Sequence, residues 1–432
     1  MSTEILNTYS KYDSYKDSGI KELGKMPKNW ELLSNKHIFS IKNVRVGKKS
    51  EDYDLLSLTL KGIVKRDMEN PQGKFPAEFD TYQEVSSGDF VFCLFDVEET
   101  PRTVGLSEFD GMITGAYTVL EVSPSFDKNF IYYFYLNLDN EKMLKPLYRG
   151  LRNTIPKDWF MNYKTFVPTY EEQTAIARFL DQKIYQIDQA IKLKLQQIEK
   201  LNEYKLIVIQ KAVTKGLNSN AKMKASGVSW IGDVPDHWEV KSIKRISRVA
   251  RGASPRPIDD PRYFDDEGEY AWVRIKDVTA SNRYLTETTQ NLSKLGSLLS
   301  VRMQPNEIFL SIAGSVGKPI ITKIKACIHD GFVYFPDWNQ SEEFLYYIFL
   351  SGQPYLGLGK TGTQLNLNSE TVGSIKIGLP SIDEQKNIVE YLDIETNKAN
   401  ELIEFQKDQI ERLKEYKTIL INQAVTGKIK VS

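Results

Sequence analysis

Cysteine and histidine are scarce in this 432-residue chain, with two of the first and three of the second. Cys93 and Cys327 lie in unrelated apolar surroundings, which suits two buried thiols in a reducing cytosol better than a disulfide framework. His37, His237 and His329 are widely scattered, and no Cys/His cluster has metal-ligand spacing, so neither a metal site nor a catalytic residue can be nominated. No apolar run approaches the roughly 20 residues of a membrane span. Met1-Ser2-Thr3-Glu4 lacks the basic and apolar regions of an export signal, so the expected location is the cytoplasm. Charge of one sign is lacking as well: Lys plus Arg and Asp plus Glu number 57 each. A nucleic-acid-binding face would therefore have to come from local clustering, which a total conceals. Apolar residues are sufficient for two or three domain cores at this length.

What the chain does contain is itself, twice. Val167-Pro168-Thr169-Tyr170-Glu171-Glu172-Gln173 returns as Leu379-Pro380-Ser381-Ile382-Asp383-Glu384-Gln385, an offset of 212 (379 − 167). The same register carries Leu180-Asp181 onto Leu392-Asp393, Glu203-Tyr204-Lys205 onto Glu415-Tyr416-Lys417, and Ala212-Val213-Thr214 onto Ala424-Val425-Thr426. A second repeat lies upstream. Gly24-x-x-Pro27-x-x-Trp30 returns as Gly232-x-x-Pro235-x-x-Trp238, at an offset of 208 (238 − 30). A turn whose Trp plugs a domain edge explains each copy. Long matches at fixed registers mean internal duplication.

The stretch after Glu172 places Ala177, Leu180, Ile184, Ile187, Ile191, Ile198, Leu201, Val208 and Ala212 at spacings of three and four, with Lys194 and Lys205 interrupting. The later copy places Val389, Leu392, Ala399, Ile403, Ile410, Leu413, Leu420 and Ala424 likewise. These are the a and d positions of a coiled coil. Each rod would span roughly 60 Å, and Gly216 ends the first as a C-terminal cap should. Neither can bury its stripe alone, so the two are expected to pack on each other. Between these repeats, Leu32 to about Phe166 and Lys241 to about Gly378 read as short strands and turns. Examples are Asp54–Leu60, Asp89–Leu94, Ala271–Lys276, Glu307–Ile312 and Lys318–Ile321. The two regions share almost no residues.

The expected fold class is α+β, with two α/β domains and two long helices from one duplication with pseudo-twofold symmetry. The expected divisions are a flexible tail 1–17, a first variable domain 18–166, a helical spacer 167–217, a linker 218–225, a second variable domain 226–378 and a second spacer 379–428.

Enzyme-like motifs fail on context. Gly357-Leu358-Gly359-Lys360-Thr361-Gly362 matches a dinucleotide fingerprint and the end of a phosphate loop. However, Pro354 stands where the first phosphate-loop glycine belongs, and no helix start follows. Asn70-Pro71-Gln72-Gly73 lacks the second proline and the stacking aromatic of an adenine methyltransferase motif. Pro235-Asp236 with Glu239-Val240-Lys241 belongs to the opening turn rather than to a nuclease site.

The two Gly-x-x-Pro-x-x-Trp turns, Pro168-x-x-x-Glu172-Gln173 with Pro380-x-x-x-Glu384-Gln385, and Lys211–Leu217 with Gln423–Ile429 together resemble the specificity subunits of type I restriction–modification enzymes. The resemblance covers nearly the whole chain, with Tyr170-Glu171 a local departure where the family often has an apolar residue. It implies two target recognition domains at opposite ends of an antiparallel helix pair, each reading one half of a bipartite double-stranded DNA sequence. It also implies two methyltransferase subunits and, in a full enzyme, two restriction subunits around this chain. S-adenosylmethionine, ATP and Mg would then belong to those partners, with no cofactor or metal in this non-catalytic chain. The same features leave open a coiled-coil adaptor that binds proteins, or a related enzyme with a fused nuclease–methyltransferase partner.

Basic residues beside glycines or in polar loops are the candidate DNA contacts, because there the backbone can come close to a duplex. In the first domain they are Lys61, Lys65, Arg66, Arg102, Arg149, Arg152 and Asn153. In the second they are Arg251, Arg256, Arg262, Lys276 and Lys318, joined by the loop Lys360, Thr361, Thr363, Gln364 and Asn366. Gln and Asn can pair bidentately with adenine, and Lys can meet phosphate or guanine. The family has a stretch similar to Gly362-x-Gln364-x-Asn366 just before the second Pro-x-x-x-Glu-Gln turn.

Overall fold

The computed structural model describes residues 9–68, 78–356, 358, 360–361, 364–365 and 367–431. Four helices organise it: α1 (Lys128–Asn140), α2 (Tyr170–Lys215), α3 (Glu342–Leu350) and α4 (Ile382–Val425). The chain divides into two compact units, Met1–Lys194 with Lys407–Ser432, and Leu195–Gln406. Each unit holds one mixed domain and a part of both long helices.

The helices run 46 and 44 residues because nothing in either sequence breaks them. Their apolar stripes are buried where expected: Ala177, Leu180 and Ile187 share one core with Leu420 and Ala424, and Ala212 shares another with Leu392. Lys417 reaches Asp188 at 2.8 Å, while Lys205 reaches Asn400 at 2.7 Å, so polar pairs flank the antiparallel seam. Ile176, Ile209 and Val213, outside the expected stripe, are buried too, because the globular domains cover the helix ends on a second side.

Both repeated motifs are explained by one joint. Trp30 and Trp238 are fully buried, and each indole N–H donates to a helix-start carboxylate, Glu172 at 3.1 Å and Glu384 at 3.0 Å. The glutamine beside each glutamate binds the start of a domain helix. Asp127 N–H donates to Gln173 Oε1 at 3.0 Å, and Ser341 N–H to Gln385 Oε1 at 3.1 Å. About two turns further on, Tyr133 donates to Asp181 at 2.6 Å and Tyr347 to Asp393 at 2.5 Å. The Gln-Ala-Val-Thr-Gly ending has its reason at Gly427. Its φ is +69°, and a Cβ there would lie 2.4 Å from Pro27 and 3.2 Å from Trp30. The joints are thus built from residues far apart in sequence but repeated at fixed offsets.

Around the joints the strand registers repeat. Tyr15–Asp17 pairs with Lys25–Pro27, as Met223–Ala225 does with Asp233–Pro235. Glu31–Ser34 pairs with Lys164–Val167, as Glu239–Ser242 does with Lys376–Leu379. The expected tail therefore needs correction over residues 9–17. Ser10 accepts from Lys430 N–H at 2.7 Å, and Tyr12 donates to Glu172 at 2.5 Å, so a half-buried aromatic and a strand pair hold it. Residues 1–8 lie outside the described residues.

The divergent regions share topology without sharing residues. In the first domain an antiparallel sheet orders Phe39–Lys42, Thr118–Val122, Phe90–Phe92 and Val104–Leu106. In the second, Ala250–Arg251, Phe332–Tyr334, Ile308–Ser311 and Pro319–Thr322 take the same order, extended by Tyr284–Leu285. α1 and α3 supply buried aromatic faces to the cores of their domains. The expected strand Ala271–Lys276 ends at Val273. Asp277 accepts from Arg274 N–H at 2.9 Å and starts a short helix, Ile275–Ala280, instead.

Candidate nucleic-acid interface

In the second domain, three loops meet at one end of the central sheet. Gly252–Arg256 follows the first strand, Ile312–Lys318 joins the third to the fourth, and His329–Gly331 leads into the second. Backbone bonds weld them: Gly252 N–H to Phe332 O at 2.9 Å, Ala253 N–H to Ile328 O at 3.1 Å, and Ile312 N–H to Gly331 O at 2.8 Å. Gly252 is required because a Cβ would lie 2.1 Å from the His329 carbonyl oxygen.

Asp330 organises the charges at this end. Its carboxylate accepts from Ser254 at 3.0 Å and Arg256 at 3.3 Å, and its carbonyl from Arg251 Nε. Burial pushes its acidity down, but Ser254 and the Arg251 charge outweigh this and hold the carboxyl below its ordinary range. His329 is packed against Phe332 and Trp272, and burial lowers its pKa. Lys276 is exposed on the adjoining short helix, whose Thr279 hydroxyl lies 2.9 Å from that of Ser315. Lys318 is less available. It donates to the carbonyls of Thr279 at 3.1 Å and Ser281 at 2.7 Å, and burial lowers its pKa. Arg262 folds back on Asp260 at 2.6 Å.

The first domain puts the matching loop at the matching sheet end. Cys93–Thr103 joins Phe90–Phe92 to Val104–Leu106, and Phe95 stacks on Tyr117 at 6.0 Å. Asp96 N–H donates to Arg152 O at 2.8 Å, and its carboxylate takes the Arg152 Nε at 3.0 Å. Arg152 and its neighbour Asn153, with φ of 42°, therefore stand at this end. Arg149 lies 3.8 Å above the Trp159 ring. Arg102 is committed inward: it binds the buried Asp139 at 3.2 Å and Asn140 at 2.9 Å. Lys61, Lys65 and Arg66 sit apart, on the hairpin Leu56–Thr59 with Gly62–Lys65 that covers Gly105. Lys61 is exposed at its tip, Lys65 pairs with Asp54, and the Arg66 N–H donates to Leu55 O at 2.8 Å.

Lys360 and Thr361 form a two-stranded hairpin with Gln364 and Leu365, Thr361 opposite Gln364. Thr363, Asn366 and the Asn70-Pro71-Gln72-Gly73 stretch lie outside the described residues. Ser254, Asp330, His329 and Ser315 are added to the group by the fold. Loops far apart in the chain bring them together, and none has a sequence signal of its own. Among the described residues no group of three His, Cys, Asp or Glu is placed to hold a metal ion, and no helix is long and apolar enough to cross a membrane. Both cysteines are free and buried.

The chain is similar to known proteins along its length. The family model described as type I restriction modification DNA specificity domain matches residues 235–412. The type I restriction enzyme MjaVIII specificity subunit of Methanocaldococcus jannaschii is 27% identical over 70% of this chain and 70% of its own. A second protein of that organism, provisionally named the type I restriction enzyme MjaX specificity subunit, is 25% identical over 96% of this chain and 98% of its own. Among solved structures, a chain from a study of type I R-M complex assembly and conformational transition aligns with a TM-score of 0.68 at 14% identity. It covers 93% of this chain and 98% of its own. The HsdS subunit from Thermoanaerobacter tengcongensis aligns with a TM-score of 0.52 at 14% identity, covering 94% and 98%.

Proposed function

We propose that this chain is a type I restriction–modification specificity subunit that reads a split DNA sequence, one half-site per domain, a reading supported by the family model and the curated relatives. The observation that carries the reading is topological. Two domains that share almost no residues outside the joints each bring a candidate arginine to the same end of the same sheet, Arg152 held by the loop Cys93–Thr103 and Arg256 carried by the loop after the first strand. Arg256 and Arg152 are the leading base or phosphate contacts, being 79% and 69% exposed and each held in place by an aspartate. A pre-positioned guanidinium loses little freedom on meeting guanine or phosphate.

Two methyltransferase subunits, and in a full enzyme two restriction subunits, would dock on the helices. Leu195, Leu206 and Ile207 of α2 and Ile394, Leu402 and Phe405 of α4 supply exposed apolar surface for that purpose. The partners would bring S-adenosylmethionine, ATP and Mg, and the methyltransferase would flip an adenine in each half-site from the stack. The chain itself would recognise and hold.

The test is a map of methylated adenines in cells expressing the chain with its neighbouring methyltransferase, against cells lacking it. A split motif with a fixed gap, lost with the chain, is expected. Unchanged methylation, or a continuous motif, overturns the reading. DNA binding that falls steeply with salt separates it from a protein-binding adaptor.

A further inference from the structure

Among the described residues of the first domain, the most exposed large apolar side chain is Leu151, at 104% of its reference surface. It stands at the tip of a tight turn closed by two backbone bonds, Arg149 N–H to Thr154 O at 2.8 Å and Thr154 N–H to Arg149 O at 3.0 Å. Beneath the tip the backbone is fixed from outside the turn, since Asp96 binds both the carbonyl and the guanidinium of Arg152. Asp96 and Asn153 both have positive φ, 46° and 42°, without being glycine. Such conformations persist only where surrounding contacts over-determine them, and they gather at working sites.

The segment that carries the leucine is basic, with the Asp96 carboxylate set against Arg152. From Tyr148 to Lys157 the chain holds Arg149, Arg152 and Lys157 and no acidic residue. A lone exposed leucine needs no explanation on an ordinary surface. Here it projects from a rigid turn with cations on both sides. Apolar wedges that enter the base stack are built from Phe, Leu, Ile, Met or Pro and carry flanking cations for the phosphates. At the offset of 212 (361 − 149) the sequence of the second domain sets Thr361 to Asn366 against Arg149 to Thr154, with Gly362 answering Gly150. Thr363 occupies the leucine's place in that sequence.

We propose that the Arg149–Thr154 turn is a DNA-inserting finger whose Leu151 enters the base stack of the half-site read by the first domain. Arg149 and Arg152 hold the phosphates on either side of the opened step. The proposal rests on the reading of that domain as a half-site reader, and it names a specificity element that reads deformability rather than a base edge.

The test uses the full chain with its methyltransferase on a duplex carrying the mapped motif. 2-Aminopurine is placed, one position at a time, in the first-domain half-site outside the methylated adenine. The wild type should show increased fluorescence at one step. Leu151→Ser should abolish that increase and weaken binding roughly tenfold or more, while Leu151→Phe retains both. Unchanged affinity and fluorescence in Leu151→Ser overturns the finger, and so does a wild type that brightens no step. Circular dichroism and thermal melting of each variant confirm that it is folded. If the wild type yields no split motif, it is the half-site reading that fails, and the two failures are told apart.

Discussion

At the residue scale, the joints turn on two glutamates whose function could be mistaken for chemistry. Glu172 accepts from the Trp30 indole at 3.1 Å and the Tyr12 hydroxyl at 2.5 Å. Glu172→Gln keeps an acceptor and should cost under about 1 kcal/mol. Glu172→Leu strands two donors at the edge of a core and should cost about 2–3 kcal/mol. That larger loss should lower the melting midpoint of the full chain by roughly 5–10 °C. Equal midpoints for the two variants would show that the carboxylate does not hold the joint. A second residue-scale expectation concerns pH. His329 is buried against Phe332 and Trp272, faces Asp330 and Arg251, and its pKa is lowered from 6.5. Below pH 6.5 the unfolded chain therefore takes up a proton that the folded chain refuses, and stability falls as pH falls through that value. His329→Asn should be less acid-sensitive than the wild type. Urea melts of both proteins at pH 7.5 and pH 5.5, compared as differences, cancel the opposing titration of Glu342, whose burial raises its pKa.

At the element scale, the glycine that ends α4 serves packing as much as termination. Gly427→Ala meets a left-handed φ and a Cβ 2.4 Å from Pro27, whereas Gly232→Ala meets a similar φ of +69° with nothing within 4 Å. The first should cost about 2–4 kcal/mol and the second about 1–2 kcal/mol. Melting midpoints that do not separate would show that the turn relaxes freely. The same elements show what could be read from the chain alone. The helices were legible because a stripe at spacings of three and four survives in both copies. The joints were located because their residues repeat, but their bonds were not legible: nothing in Pro168-x-x-x-Glu172-Gln173 says that Glu172 seeks an indole 142 residues earlier. The sheets were legible as strands but not as a repeated topology, because packing accepts many apolar residues at one register. Candidate cations could be nominated by type. Whether an arginine turns inward, as Arg102 does to Asp139, or is held outward, as Arg256 is by Asp330, depends on a partner brought from elsewhere by the fold.

At the scale of the whole molecule, neutral net charge and two divergent domains on duplicated helices fit a protein that binds by local readers and measures by its scaffold. If the helices set the gap between half-sites, lengthening both should lengthen the gap. One added turn alone would rotate the apolar stripe away from its partner, so the insertion that keeps the seam is a heptad in each helix. Placed after Lys194 in α2 and after Gln406 in α4, these insertions fall where the chain passes between its compact units. Seven residues add about 10 Å, equivalent to roughly 3 base pairs at ~3.4 Å each. The methylation map should keep both half-sites and widen the gap by about that amount, within the stretch and twist the duplex tolerates. An insertion in α2 alone should instead unfold the seam, exposing Leu180, Leu392 and their neighbours, and abolish methylation. A double-insertion protein that still methylates with the original gap would place the ruler in the methyltransferase partners and leave the helices only the task of holding them.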